Sequence, residues 1–236
     1  MIRRAVLAAL MVLSADQAHA ACRQALALAL DVSGSVDARE YRLQMGGIAA
    51  ALDSPEVRGK LMSLPSTPVR LLIFEWSGPT DQAVVVPWVE IDSDETLDVV
   101  IQTLRGAERR NASPGTALGI AMREGARHLA GQADCWKRTL DVSGDGKSNL
   151  GPRPAEIKAE LEGQGITING LVIGIDDPTI GDVRQAEIGE LSAYFTNDVI
   201  MGPGAFVQTA LGFSDYARAM QKKLLRELDG LVFSQR

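Results

Sequence analysis

The chain predicts a doubly wound α/β domain whose central sheet is mostly parallel, with one antiparallel edge strand and helices on both faces. Three observations carry this expectation. Apolar, strand-like runs alternate with stretches whose apolar residues recur at helical spacing. Two of those runs enter the same pentapeptide, Leu-Asp-Val-Ser-Gly, at Leu30 to Gly34 and at Leu140 to Gly144, where a buried parallel strand would emerge at a ligand-bearing loop. A further pair of runs is joined by Gly-Pro-Thr-Asp alone, a link suited to an antiparallel hairpin and too short for a parallel crossover.

Residues 1–20 are expected to lie outside the fold. Arg3 and Arg4 form a positive region, Ala5 to Leu13 a short apolar stretch, and Ala18-His19-Ala20 a small-x-small cleavage site, the pattern of a secretory signal peptide. The apolar stretch is far shorter than the ~20 residues a membrane span needs. A single domain is then expected over 21–236. Ala25 to Leu30 is its first strand, and Asp37 to about Leu52 a helix with Tyr41, Met45, Ile48, Ala49 and Leu52 on one face. Ser54 to Pro68, with Pro55, Pro65 and Pro68, reads as a loop. Val69 to Trp76 and Ala83 to Ile91 form the hairpin strands. Helices follow over Asp94 to Leu104 and from about Thr116. Thr139 to Val142 is the fourth strand, Pro154 to Glu162 a helix, Thr167 to Ile175 the fifth strand and Ile180 to Ala193 another helix. The remainder reads as a short edge strand, a turn at Gly202-Pro203-Gly204 and a terminal amphipathic helix. That helix packs through Phe213, Tyr216, Ala217, Met220, Leu224 and Leu228, with Lys222, Lys223 and Arg226 on its solvated side.

A net charge of -6 and few clustered basic residues argue against nucleic acid or anionic lipid as partners and favour cations or basic surfaces. No segment after residue 20 is long and apolar enough to insert stably in a membrane. The chain has two cysteines, Cys22 and Cys135, and an even count in an exported chain points to a disulfide. Spacing agrees. Cys22 lies nine residues before Asp31 and Cys135 ten before Asp145, so parallel neighbouring strands would bring both thiols to the end opposite those carboxylates. Lipidation of Cys22 is the alternative, disfavoured because His19-Ala20-Ala21 lacks the apolar residue usual three positions before a lipidated cysteine.

The chemistry concentrates at three segments. Asp31, Ser33 and Ser35 follow the first strand, Thr116 opens a helix after Ser113-Pro114-Gly115, and the second pentapeptide supplies Asp141 and, just beyond it, Asp145. Carboxylates and hydroxyls together make an all-oxygen site, which suits Mg2+ first, then Mn2+ or Ca2+, and not Zn2+ or copper. For the second carboxylate two readings stand: Asp141 matches Asp31 in local sequence, whereas Asp145 matches by cysteine register and sits between Gly144 and Gly146, which give a strand-end turn its freedom. His128 is the only histidine after residue 20, and it reads as a half-buried helix residue. No catalytic residues are identified: there is no Ser-His-Asp arrangement, no Gly-x-Ser-x-Gly elbow and no Cys/His zinc spacing. Glu75, Trp76, Asp176 and Asp177 end strands and either rim the site or cap loops.

These residues carry a family resemblance. Asp31-Val32-Ser33-Gly34-Ser35 resembles the Asp-x-Ser-x-Ser signature of von Willebrand factor A (vWA) domains. Thr116 falls where their metal-binding threonine lies, and Asp145-Gly146 is similar to the Asp-Gly after their fourth strand. The order and the α/β alternation resemble that superfamily over nearly all of 21–236, and the export pattern with Val199 to Val207 looks like a bacterial branch without an assigned activity. The resemblance implies a Rossmann-like fold with a metal-ion-dependent adhesion site (MIDAS) at the C-terminal edge of the sheet. Ser33, Ser35 and Thr116 would offer hydroxyls to the ion, Asp31 and Asp145 would bind it directly or through water, and a partner's acidic side chain would complete it. The expected function is a non-enzymatic, periplasmic or secreted protein-binding module of the adhesion or assembly type. The alternatives are a metal-assisted hydrolase of phosphate esters, against which Ser33 stands where a phosphatase has its second Asp, and an assembly factor that works through its terminal helix.

Overall fold

Strand β1 (Gln24–Asp31) reads Gln-Ala-Leu-Ala-Leu-Ala-Leu-Asp and is buried along its whole length. Its period of two sends Leu26, Leu28 and Leu30 into one core and Ala25, Ala27 and Ala29 into the other, the pattern of a strand covered on both faces. The computed structural model from which this is read describes residues 22–174 and 181–229; the signal-peptide reading, Asp176 and Asp177 lie outside the described residues. The other strands are β2 (Val69–Trp76), β3 (Gln82–Ile91), β4 (Lys137–Gly144), β5 (Thr167–Ile173) and β6 (Val207–Ala210). They form one sheet in the order β3-β2-β1-β4-β5-β6. Every pairing is parallel except that of β3 with β2, so the hairpin edge stands as expected.

The helices are α1 (Ala38–Asp53), α2 (Pro55–Leu61), α3 (Asp94–Arg105), α4 (Leu118–Ala130), α5 (Pro154–Leu161), α6 (Gly181–Tyr194) and α7 (Tyr216–Asp229). α1, α2, α3 and α7 cover the leucine face of β1, while α4, α5 and the start of a π-turn at Phe195–Val199 cover the alanine face. α1 begins where a capping box dictates: the Asp37 carboxylate accepts from the Arg39 and Glu40 amides, and Glu40 accepts from the Asp37 amide. Tyr41, Met45, Ile48, Ala49 and Leu52 are all buried.

Three expectations change. Ser54 to Pro68 is not wholly a loop, because α2 occupies part of it. Pro55 sits in the first turn, where no amide hydrogen is needed, and Ser54 caps the Val57 amide at 3.4 Å. The edge strand follows the glycine turn instead of preceding it. Before the turn α6 runs on into the π-turn, burying Phe195 and Val199, and Met201 makes only a single bridge to Ile168. Gly202 at φ 88 and Gly204 at φ 70 then reverse the chain into β6. The short apolar run there fitted either period, and helical continuation won.

The third change concerns α7. Lys223 is fully buried, not solvated. Its Nζ lies 3.0 Å from Asp141 Oδ1 and 2.6 Å from Glu227 Oε1, and Asn169 Nδ2 donates to the same Glu227 oxygen at 2.7 Å. Leu140 and Val142 face the alanine-side core, so the alternation of β4 turns Asp141 toward α7. A buried carboxylate needs such a partner. At the other end of the sheet Cys22 and Cys135 are joined, with Cα atoms 4.4 Å apart, next to the β1–β4 pair Gln24↔Lys137.

Removing one member of a buried ionic group leaves an uncompensated charge. Lys223→Met is therefore expected to lower the unfolding free energy by about 3–5 kcal/mol in urea titration; a loss near zero would mean that water already solvates Asp141 and Glu227. Replacing both Cys22 and Cys135 by serine should cost a few kcal/mol, roughly 2–5, read as a drop in Tm of the variant against the oxidised wild type.

Candidate metal centre

β1 ends at Asp31, and the chain turns at once through Val32 to Ser35. The Asp31 carboxylate accepts the Ser33 amide at 2.8 Å through Oδ1, the local turn bond that short acidic side chains favour. Its other oxygen, Oδ2, is buried without a hydrogen-bond partner among the described residues. Around it the hydroxyls form a string: Thr116 Oγ1 donates to Ser33 Oγ at 3.3 Å, Ser33 Oγ and Ser35 Oγ are 3.2 Å apart, and Ser35 Oγ donates to Asp145 Oδ1 at 2.8 Å. The structure thus brings Asp31, Ser33, Ser35, Thr116 and Asp145 together. Asp141 is not among them.

Thr116 precedes α4 without capping it. The cap position is Ala117, which makes no side-chain bond, so the Thr116 hydroxyl stays turned to Ser33. Its backbone is held by the loop after β4: the Thr116 amide donates to Asn149 Oδ1 at 2.8 Å, and the Asn149 and Leu150 amides donate to its carbonyl at 2.9 and 3.2 Å. The segments also touch directly. The Gly34 amide donates to the Pro114 carbonyl at 3.1 Å, and a Cβ on Gly34 would sit 3.1 Å from Pro114 backbone atoms, so glycine permits this approach.

Two arginines brace the arrangement. Arg109 Nε donates to the Val36 carbonyl at 3.1 Å, and its Nη2 reaches the carbonyls of Val32 and Ser33 at 3.3 and 3.4 Å. Arg110 donates to Glu75 Oε2 at 2.8 Å and pairs with Asp81. Asp81 accepts from the Ser77 hydroxyl and the Ser113 amide, and Tyr41 donates to Glu75 Oε1 at 2.6 Å. Glu75 is therefore a buried anchor behind the site. Trp76 is also buried, and its carbonyl accepts the Val32 amide at 2.9 Å. Sequence reasoning missed Arg109, Arg110, Asp81 and Asn149; the one signal was the Arg109-Arg110 pair shortly before Ser113 to Thr116.

Burial pushes the Asp31 carboxyl up to about 7, and the nearby Asp145 charge pushes it the same way. Burial also raises Asp145 above the usual carboxylate range, against the Ser35 hydrogen bond. Two carboxylates raised together, with one oxygen unsatisfied, describe a place that lacks positive charge. Among the described residues no three of His, Cys, Asp and Glu converge, so a cation here would rest on two carboxylates and three neutral hydroxyls. That donor set fits a hard divalent ion. His128 lies along α4, 3.3 Å from Glu124 and with its ring 5.4 Å from that of Phe74; it is half-buried, and burial lowers its pKa.

Residues 21–232 match the family model described as "Protein of unknown function (DUF1194)". No curated protein matches the chain. Among solved structures the chain is similar to proximal thread matrix protein 1 from the mussel byssus with a zinc-occupied MIDAS motif, at 17% identity and a TM-score of 0.59, over 88% of this chain and 48% of that one. It is similar to a von Willebrand factor type A protein from Catenulispora acidiphila at 13% identity and TM-score 0.59, over 88% and 43%. The third is the vWF domain of the type V pili tip protein Mfa5 from Porphyromonas gingivalis, at 9% identity and TM-score 0.59, over 92% and 98%. The chain spans about half the length of the mussel protein and less of the second. At these identities the likeness establishes the vWA fold.

A carboxyl whose pKa is raised by folding destabilises the native state as pH rises. The unfolded side chain ionises from about 3.8 upward and the native one only near 7, so in cation-free buffer stability should fall through that interval and level off above it. Asp31→Asn removes the charge and is expected to stabilise the cation-free protein at pH 8 by on the order of 2–4 kcal/mol, while changing little at pH 4. An Asp31→Asn variant less stable than wild type at pH 8 would contradict this.

Proposed function

This chain belongs to the DUF1194 family, and from that membership, its vWA fold and the strand-end oxygen cluster we propose that it is an exported, divalent-cation-dependent protein-binding module. The observation that carries the reading is the buried, unpartnered Oδ2 of Asp31 beside the hydroxyls of Ser33, Ser35 and Thr116 and the Asp145 carboxylate. Asp31, Ser33, Ser35, Thr116 and Asp145 would hold Mg2+, with Mn2+ or Ca2+ as substitutes. When bound, the ion supplies an electrophilic position that accepts a carboxylate oxygen from a partner.

The chain's own residues prepare that position. Five donors, three of them neutral hydroxyls, would leave the octahedral shell of a hard divalent ion one oxygen short, and an acidic side chain would fill that position. Arg109 and the Gly34–Pro114 bond hold the Ser33 and Thr116 segments against each other, so little order has to be gained on binding. No base or nucleophile is proposed, and the module is read as non-enzymatic. Export is supported by the pattern of residues 1–20 and by the Cys22–Cys135 disulfide, a bond of oxidising compartments. Among the described residues no helix is long and apolar enough to cross a membrane.

Calorimetric titration of Mg2+, Mn2+ and Ca2+ into chelator-stripped protein is expected to give saturable one-site binding, abolished in Asp31→Ala and weakened about tenfold or more in Thr116→Ala. Arg109→Ala should weaken it by a similar factor without changing the fold, and Arg109→Lys should not restore it, because a single ammonium cannot span three carbonyls. A folded wild type that binds none of the three ions would sink the reading. Cation-dependent release of phosphate from a phosphate ester, lost with Asp31 or Asp145, would replace it by the hydrolase.

A further inference from the structure

At the end of the sheet opposite the candidate metal centre, a pocket of about 460 Å³ opens between the start of β4, the loop before β5 and the end of α7. Lys137, Arg138 and Arg226 line it, together with Trp136 and Phe206. Such a concentration of positive charge stands out on a chain of net charge -6. Among the described residues none of the three cations is in an ion pair. Lys137 donates to the Glu227 main-chain carbonyl at 3.1 Å, Arg138 donates to the Gln164 carbonyl, and the Arg226 guanidinium lies 3.8 Å over the Phe206 ring. The Glu227 carboxylate also faces this region; Lys223 and Asn169 bind its Oε1, and its charge acts on Lys137 as well. Arg138 and Arg226 are the cations left without a carboxylate among the described residues.

The walls are aromatic. Trp136 is 51% exposed, a large apolar surface left at the mouth of a charged pocket. Gly165 and Pro203 also line a wider neighbouring groove of about 970 Å³, where Ile200 and Met201 mix with Lys158 and Glu162. Cations beside an exposed aromatic ring match a segment of polypeptide carrying both acidic and apolar side chains. Glu162 and Glu227 would repel a sulfated or phosphorylated polymer of uniform charge.

We propose that this pocket binds an extended acidic segment of a protein partner, with its carboxylates on Arg226, Arg138 and Lys137 and an apolar residue against Trp136. Arg suits this role because its planar group grips a carboxylate with two hydrogen bonds while stacking on a ring. The site is independent of the cation centre. β4 alone separates them by about 25 Å at ~3.3 Å per residue, so the module would hold two partners, or two parts of one, at opposite ends of its sheet.

Panning a displayed library of random nonapeptides against residues 21–236 in the presence of EDTA tests this. Peptides rich in Asp and Glu with an interspersed apolar residue are expected to be enriched. Their affinity, read by fluorescence polarisation of a synthesised winner, should fall roughly tenfold in Arg226→Glu and stay unchanged in Asp31→Ala. Arg138→Glu serves as the second variant, with circular dichroism confirming that both remain folded. Enrichment of neutral or basic peptides, no enrichment, displacement by dextran sulfate as readily as by unlabelled peptide, or full binding by both variants would overturn the proposal. Because the selection runs without free cation, its failure is distinct from failure of the cation-dependent reading.

Discussion

Parallel pairing of β1 with β4, in the register from Gln24↔Lys137 to Leu30↔Ser143, is the constraint on which both ends of the molecule depend. At the C-terminal end it sets the turn after Asp31 beside the turn after Gly144, so that Ser35 can reach Asp145. At the N-terminal end the same register brings Cys22 beside Cys135. A slip of one residue would turn every side chain of β1 to the other face, sending its leucines into the space that alanines now fill. The covalent link and the alternating sizes therefore specify one register, and that register assembles the site.

The twin pentapeptides show how position in a strand overrides local sequence. Asp31 is the last residue of β1, where the chain is free to turn. Asp141 lies inside β4, which runs on to Gly144, and its side chain enters the core beneath α7. There Lys223 compensates it, and burial raises its pKa against the opposing pull of that lysine. Such a group seldom adds net stability over an apolar one of similar volume, but it penalises any other placement of α7. The helix is thereby fixed on the sheet, and its last turn brings Arg226 and Glu227 to the basic pocket.

Much of this was legible in the residues. Alternation and the short hairpin link gave the order of most elements, and the cysteine spacing anticipated the β1–β4 register. The five clustered oxygens lie in segments whose composition already marked them. Other features were not legible for physical reasons. α2 was hidden because a proline at a helix's first turn looks the same in sequence as a proline in a loop. β6 was displaced because four residues at a sheet edge carry no usable period. Lys223 was assigned to solvent because an i,i+4 pair with Glu227 is equally common on an exposed face, while Asp141, which draws it inward, is far away in the chain and leaves no local trace. Arg109 and Arg110 escaped for the same reason: their acceptors are main-chain carbonyls and strand-end carboxylates brought close only by folding.

Among the described residues, the buried carboxylates other than Asp31 each face a cation. Asp141 and Glu227 have Lys223 and Glu75 has Arg110, whereas Asp31 is buried with no ion-pair partner among the described residues and with a second carboxylate nearby. Polar groups left so are expected where function, not stability, selects the residues. The surrounding bracing explains how the protein tolerates this. Arg109, the Thr116–Asn149 bonds and the Glu75 anchor hold the loops in place through backbone contacts, so the ligand hydroxyls need not stabilise the fold. If the cluster binds a cation as proposed, loops braced in this way would need little ordering, and the free energy of binding would not be spent on it.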